Sequence, residues 1–433
     1  MKSALSWTFL ACFCGVMILS GSAPIGAADW PHFGYDDQLT SYAKQEKTIT
    51  VQNVKNLKRI WGIGCDDGYF SVIFRSPAVF KEKLFTASAG QKMSVYKALT
   101  GDFLWDFGDS NMGWAPQPVL TTDGVVILLQ GTIPTSLFAA AAGTGKKLWE
   151  APIEFDLGYS GAAYAIPAVD EARGVIYIVE NKFGGDGKLY ALNKKTGSIL
   201  WSKSKTVGGA AYRGNAVLLK GSWIFAAAVV QVSFSEADKL ARINATTRKV
   251  ELFYDRPGPE EFYDIGGATI CNNWLVVVYH DRDDVFRGKS VLCVYDVMSS
   301  KIVWQKRYTT SAISGAVAAN TDKNVIYVPT DPYLYAYNVK TGAQVWRCQG
   351  YDAIRSPSVA NGIVYFLSDT NLYAVSETNK KRLFRYPLGN EAEYSTQVAI
   401  SNGMLFFSGN GGTCDLFVLG LKGGPESPRG PIR

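Results

Sequence analysis

Three arginines stand in similar company. Arg75 opens "RSPAVF", Arg355 opens "RSPSVA", and Arg213 heads a third apolar stretch. A guanidinium is a permanently charged planar fork that matches a carboxylate two bonds at a time. Three of them converging would make a cationic well for a carboxylate-rich ligand, whereas arginines paired with neighbouring acids or carbonyls would serve only the fold. Oxygen ligands occur in "ENKFGGDG", where Glu180, Asn181 and Asp186 are the donor types a Ca2+-like ion takes. "HDRDDVFRG" begins at His280 and offers Asp283 or Asp284 as a base, and "RPGPEEFYD", Arg256 to Asp264, is a further acidic loop. Solvated surface loops have the same composition, so the residues alone leave both readings open. His32 and His280 are the only histidines, which excludes a Ser-His-Asp constellation of any generality. Cys65, Cys271, Cys293, Cys348 and Cys414 form no C-x-x-C pair, which excludes the common zinc sites.

The elements that must position these groups repeat. "KKTGSILW" at Lys194 to Trp201 returns as "KTGAQVW" at Lys340, "TGKKLW" at Thr144 and "TGDFLW" at Thr100. Before each copy come a small or Pro-containing apolar stretch, a turn, a second apolar run such as "GVIYIV" or "GIVYFLS", and a third such as "KLYALN" or "NLYAV". Four short strands per unit of about 40 to 50 residues, joined by tight Asp, Asn or Gly turns, predict the blades of a β-propeller. Blades are expected to begin near Arg75, Pro116, Ala165, Arg213, Gly266, Ser314, Arg355 and Ser395, giving an all-β, eight-bladed ring of four-stranded antiparallel sheets. The recurring Trp, replaced by Phe or Leu in the fourth and seventh units, reads as a wedge between blades rather than a ligand contact.

The eighth unit ends at Gly420 without its Trp strand, while "LKRIW", Leu57 to Trp61, precedes the first blade without partners. Pairing the two closes the ring and removes an exposed edge. Its register places Cys414 opposite Gly64 or Cys65, and a Cys65 to Cys414 disulfide is expected to clasp the closure. The domain reading is therefore a leader at 1–28, an N-terminal segment at 29–56 packing on the propeller, the propeller at 57–419, and a flexible Gly- and Pro-rich tail at 420–433.

The leader reading rests on Lys2, an apolar run from Ala4 to Leu19 too short to span a bilayer, and small residues up to Ala28. The mature chain is expected to be secreted or periplasmic, with no membrane span. Hydrophobic residues make up 47% and charged residues 19%, enough apolar surface for a large core. A net charge of +6 without basic runs excludes a phosphate-tracking stripe, hence nucleic acid.

"ALNKKTGSILW", Ala191 to Trp201, resembles the tryptophan-docking repeat of the pyrroloquinoline quinone (PQQ) propeller superfamily, and the resemblance covers residues 53 to 419. That superfamily includes quinoprotein alcohol dehydrogenases, polyvinyl alcohol dehydrogenases and a non-catalytic propeller lipoprotein of outer-membrane assembly. "DWPHFGYDDQLTSY", Asp29 to Tyr42, and "ITVQNVKNLKRIW", Ile49 to Trp61, are similar to the N-terminal segment of the dehydrogenases, which the assembly lipoproteins usually lack. The resemblance implies PQQ and Ca2+ as candidate cofactors, with Arg75, Arg213 and Arg355 around the quinone and Glu180, Asn181 and Asp186 around the metal. Departures weigh against it. No two cysteines are adjacent, so the vicinal disulfide of those enzymes cannot form; the Trp-Asp-Tyr context of their catalytic Asp is missing; no C-x-x-C-H occurs. The expected function is a non-catalytic binding or scaffold protein that takes a protein, polymer or small anion on its funnel face or rim. A PQQ-dependent dehydrogenase of an alcohol or polymeric substrate is the alternative.

Overall fold

The computed structural model describes residues 29–63, 76–86, 93–108, 117–130, 136–151, 153, 166–180, 187–204, 211–212, 217–232, 235–254, 263–281, 289–309, 312–350, 354–368, 370–388, 396–409 and 415–421. Within them lie eight antiparallel sheets, one per sequence unit, as the repeat predicts. Blade 3 is typical. Its strands Ala168–Asp170, Val175–Val179, Leu189–Asn193 and Ile199–Lys203 pair in chain order from inside to outside. The two middle strands are buried on both faces, which is why they read as near-continuous Val, Ile, Leu and Tyr; the outermost alternates.

Each outer strand carries a bulge beside the residue in the Trp position, for example between Ala191 and Leu192 opposite Trp201 and Ile199. The bulge re-aims the ring towards the following blade. Trp61 donates its Nε1–H to Ala98 O at 2.9 Å, Trp149 to Lys194 O at 2.9 Å, Trp304 to Val339 O at 2.7 Å and Trp346 to Glu377 O at 2.8 Å, each acceptor lying in the next blade's turn. The motif glycine is the seat. A Cβ on Gly101 would lie 2.7 Å from the Trp61 ring, and one on Gly342 would lie 2.8 Å from Trp304. Both glycines also have positive φ, +72° and +71°. Thus the Gly and Trp of one "KTGxxxW" copy serve two different interfaces. Blade 4, with Phe253 in the Trp position, substitutes Tyr254, whose hydroxyl donates to Val297 O at 2.6 Å.

Ring closure follows the expectation. Lys58–Ile63 pairs with Asp415–Gly420 as the outer strand of blade 8, in a register running from Lys58 opposite Gly420 to Ile63 opposite Leu416. Cys65 and Cys414 lie outside the described residues.

The N-terminal segment makes a circuit of the axis. Trp30 exchanges backbone hydrogen bonds with Val79 of blade 1, and Pro31 O accepts from Leu120 of blade 2. The Asp37 carboxylate accepts from Val169 N of blade 3, and its carbonyl from Leu219 N of blade 4. Gln38 O, Thr40 O and Ser41 O then take the N–H groups of Ile270, Ala319 and Val359 in blades 5, 6 and 7. All seven donors occupy the same position of the inner strand, whose free edge faces the axis and would otherwise be buried unpaired. Blade 8 is reached through Gln397, which accepts from Gly34 N and donates to Ser41 Oγ. The segment then leaves past the turns between first and second strands, where Glu46 accepts from Gly403 N and Asn361 donates to Ile49 O. Residues 29–43 therefore floor the channel at that end.

Candidate functional site

With one end floored, the opposite end carries the starts of the inner strands and the connections between second and third strands, where the candidate ligand-binding residues fall. Glu180 closes the second strand of blade 3: its N–H donates to Lys188 O at 2.7 Å and its buried carboxylate accepts from Tyr190 Oη at 3.3 Å. That contact raises the Tyr190 hydroxyl, already pushed up by burial, to about 12. Arg355 enters blade 7 half-buried, its N–H donating to Leu367 O at 2.8 Å. Glu180 and Arg355 belong to blades 3 and 7, on opposite sides of the ring axis. Arg75, Arg213, Asn181, Asp186, Asp283 and Asp284 lie outside the described residues.

His280 lies in the second strand of blade 5, Trp274–Asp281, with Nδ1 at 3.0 Å from Ser290 Oγ, and that hydroxyl accepts Ile313 N–H at 3.1 Å. A side chain at Gly266 would overlap the imidazole, so this glycine makes room for it. Ser290 is buried, and the pair knits blade 5 to the entry of blade 6.

Around the mouth the described polar groups turn on one another. Gln117 donates to Ser76 O, Ser314 Oγ to Ile354 O at 2.5 Å, and Ser358 Oγ to Val398 O at 2.6 Å, while Ala316 N donates to Ser356 Oγ. Each bond crosses from one blade to the next. Among the described residues no cluster of three His, Cys, Asp or Glu could hold a metal ion.

The two ends differ in relief. The second and third strands of blade 4, Trp223–Val232 and Ser235–Asn244, have ten residues each, where those of blade 3 have five. The surplus carries the hairpin about 16 Å further at roughly 3.3 Å per residue, on the same side as the inner-strand starts. Ala211–Tyr212 adds a short strand to it, pairing with Val229 and Ala228. In the sequence the hairpin shows as the alternating "VQVSFS" at Val230 to Ser235 beyond the usual strand length, a signal the regular repeat count passes over.

Sequence reasoning missed the floor residues themselves. His32 is buried and Asp36 and Asp37 are half-buried; desolvation lowers His32, raises Asp36 against the bonds from Thr40, and pushes Asp37 up to about 7. Thr269, whose hydroxyl bonds Gln38 O and Leu39 O, and Gln397 complete the set. Only the cluster of polar residues inside "DDQLTSY" hinted at them.

Comparison with known proteins agrees with this architecture. The quinoprotein alcohol dehydrogenase PedH of Pseudomonas putida is 23% identical over 171 residues, covering 38% of this chain but only 28% of that enzyme. The quinohemoprotein alcohol dehydrogenase ADHIIG of Pseudomonas putida superposes with a TM-score of 0.71 at 13% identity, over 94% of this chain and 82% of the enzyme. BamB of Moraxella catarrhalis superposes with a TM-score of 0.56 at 15% identity, over 84% and 99%. At these identities the structures speak for the fold. The PQQ_2 family, described as outer membrane protein assembly factor BamB, matches residues 89–251 and 266–424. The chain belongs to that family of PQQ-type propellers.

Proposed function

We propose that the chain is a non-catalytic binding or scaffold propeller working outside the cytoplasm, holding a protein, polymer or small anionic ligand at its open end or rim. The difference between the two ends carries this reading. One is floored by the chain's own residues 29–43, and the other has an uneven wall raised by the blade 4 hairpin. A surface of uneven relief with mutually engaged polar groups suits recognition of a shaped partner better than turnover of a small substrate. Arg75, Arg213 and Arg355 are the contacts proposed for a small anion.

Equilibrium binding and dye reduction test the reading together. Mature protein incubated with PQQ and Ca2+ is expected neither to retain the quinone nor to reduce dye with a panel of alcohols. The relative PedH and the dehydrogenase-like opening at Asp29 to Tyr42 favour a second reading, a PQQ-dependent alcohol or polymer dehydrogenase. In that reading Glu180, Asn181 and Asp186 hold the metal, and the Arg75→Ala, Arg213→Ala, Arg355→Ala triple variant loses PQQ affinity. Tight binding with turnover would replace the first reading by the second. Export is tested separately by N-terminal sequencing of the extracytoplasmic protein, expected to begin at Asp29.

A further inference from the structure

The side wall of blades 6 and 7 has a charge character that neither the floor nor the mouth requires. The outer strand of blade 6, Gln344–Gln349, contains Arg347 and no acid, and its turn contributes Lys340. In blade 7 the equivalent turn and strand present Lys380, Lys381 and Arg382. All five are exposed, and among the described residues none forms an ion pair. The one acid of these two turns and strands, Glu377, is buried and already engaged by Asn320, Lys323 and Tyr327. A groove of about 450 Å3 runs between the blades, lined by Gln344 to Arg347 on one side and Thr378 to Lys380 on the other.

The floor of that groove is a strand edge. Gln344–Gln349 pairs only with Tyr333–Asn338 on its inner side, so its outward N–H and C=O groups can receive another strand. Val345, 52% exposed, supplies an apolar contact between the polar positions. A second copy of this chain brings the same cations against Arg347 and Lys380, which like-charge repulsion opposes. We infer that the groove between blades 6 and 7 docks an extended, acidic segment of a partner polypeptide, added as a strand to Gln344–Gln349 with its carboxylates against Arg347, Lys380 and Arg382. Strand addition takes affinity from the backbone and specificity from alternate side chains, which a lipid surface cannot provide. The site lies on the side wall, so it stands whichever ligand the open end takes.

The test uses the full mature chain and a fluorescein-labelled peptide alternating Glu with Val and Thr. Anisotropy should report binding at low salt that weakens as salt is raised, and hydrogen exchange should show slowed amides within Gln344–Gln349. The Lys380→Glu, Arg382→Glu variant should bind about tenfold more weakly or worse, while Lys146→Glu, Lys195→Glu on blades 2 and 3 should bind as the parent does. Circular dichroism melts confirm that both variants fold. No affinity for the peptide, affinity that survives the charge reversal, or binding without protection of Gln344–Gln349 would each overturn the proposal. So would capture by phosphatidylglycerol vesicles without capture of the peptide, which assigns the wall to a membrane surface.

Discussion

At the residue scale, Asp37 is placed to respond to pH near neutrality. Its half-buried carboxylate accepts a hydrogen bond from Val169 N near Glu171 and Asp170, and desolvation with those like charges raises it to about 7. A carboxyl raised in the folded state binds its proton more tightly there than in the unfolded chain. Its contribution to stability is present below pH 4 and is lost as pH rises through about 7. Asp37→Asn keeps the acceptor and removes the charge, so it should raise stability at pH 8 by about 2 kcal/mol and flatten the fall between pH 5 and 8. Thermal melts across that range read both effects. None of this is visible in "YDDQL", because two adjacent acids normally mark a solvated loop; only the circuit around the axis half-buries them. The candidate anion and metal residues show the converse. Arg355 and Glu180 stand out in the sequence by type alone, and which blades carry them follows only from the ring.

At the scale of elements, the Trp and Gly of the repeat form a lock whose two halves come from different copies. Trp346→Phe retains the ring and loses the Nε1–H bond to Glu377 O, which should cost about 1 kcal/mol in denaturant unfolding. Gly342→Ala meets the Trp304 ring and a φ of +71°, so about 1 to 3 kcal/mol is expected. The turn was legible in "KTG", since only Gly suits that conformation. Its service as a seat for the preceding blade's Trp was not, because the partner lies about one repeat away in sequence. The closing strand was legible for a plain reason: the eighth copy ends early and an orphan copy stands at the other end. The described register, with Ile63 opposite Leu416, carries two residues further to 65 opposite 414 when simply counted. We propose a disulfide there. Denatured, unreduced mature protein should then titrate three thiols, Cys271, Cys293 and Cys348, and intact mass showing five would remove the clasp.

At the scale of the whole molecule, residues 29–43 act as a hub that seven inner strands and Gln397 address together. The Gln397 side-chain amide bonds Gly34 N, Ser41 Oγ and Pro357 O, so Gln397→Ala should leave several buried groups unpaired and cost about 2 to 4 kcal/mol in denaturant unfolding. An unchanged midpoint would mean that the hub is dispensable to the ring. The hub also bears on the proposed function, which places its ligand at the other end or the rim.

The sequence by itself determined the blade count, the order of strands within each blade and the closure, because these follow from local periodicity, turn chemistry and the number of copies. Tertiary structure alone decided which end of the channel is shut, which Trp meets which Gly, that the blade 4 hairpin rises above its neighbours, and that basic side chains of blades 6 and 7 line one groove. Those outcomes depend on groups from distant repeats meeting across the ring, and pairwise distance is the quantity that a linear pattern of residue types does not contain.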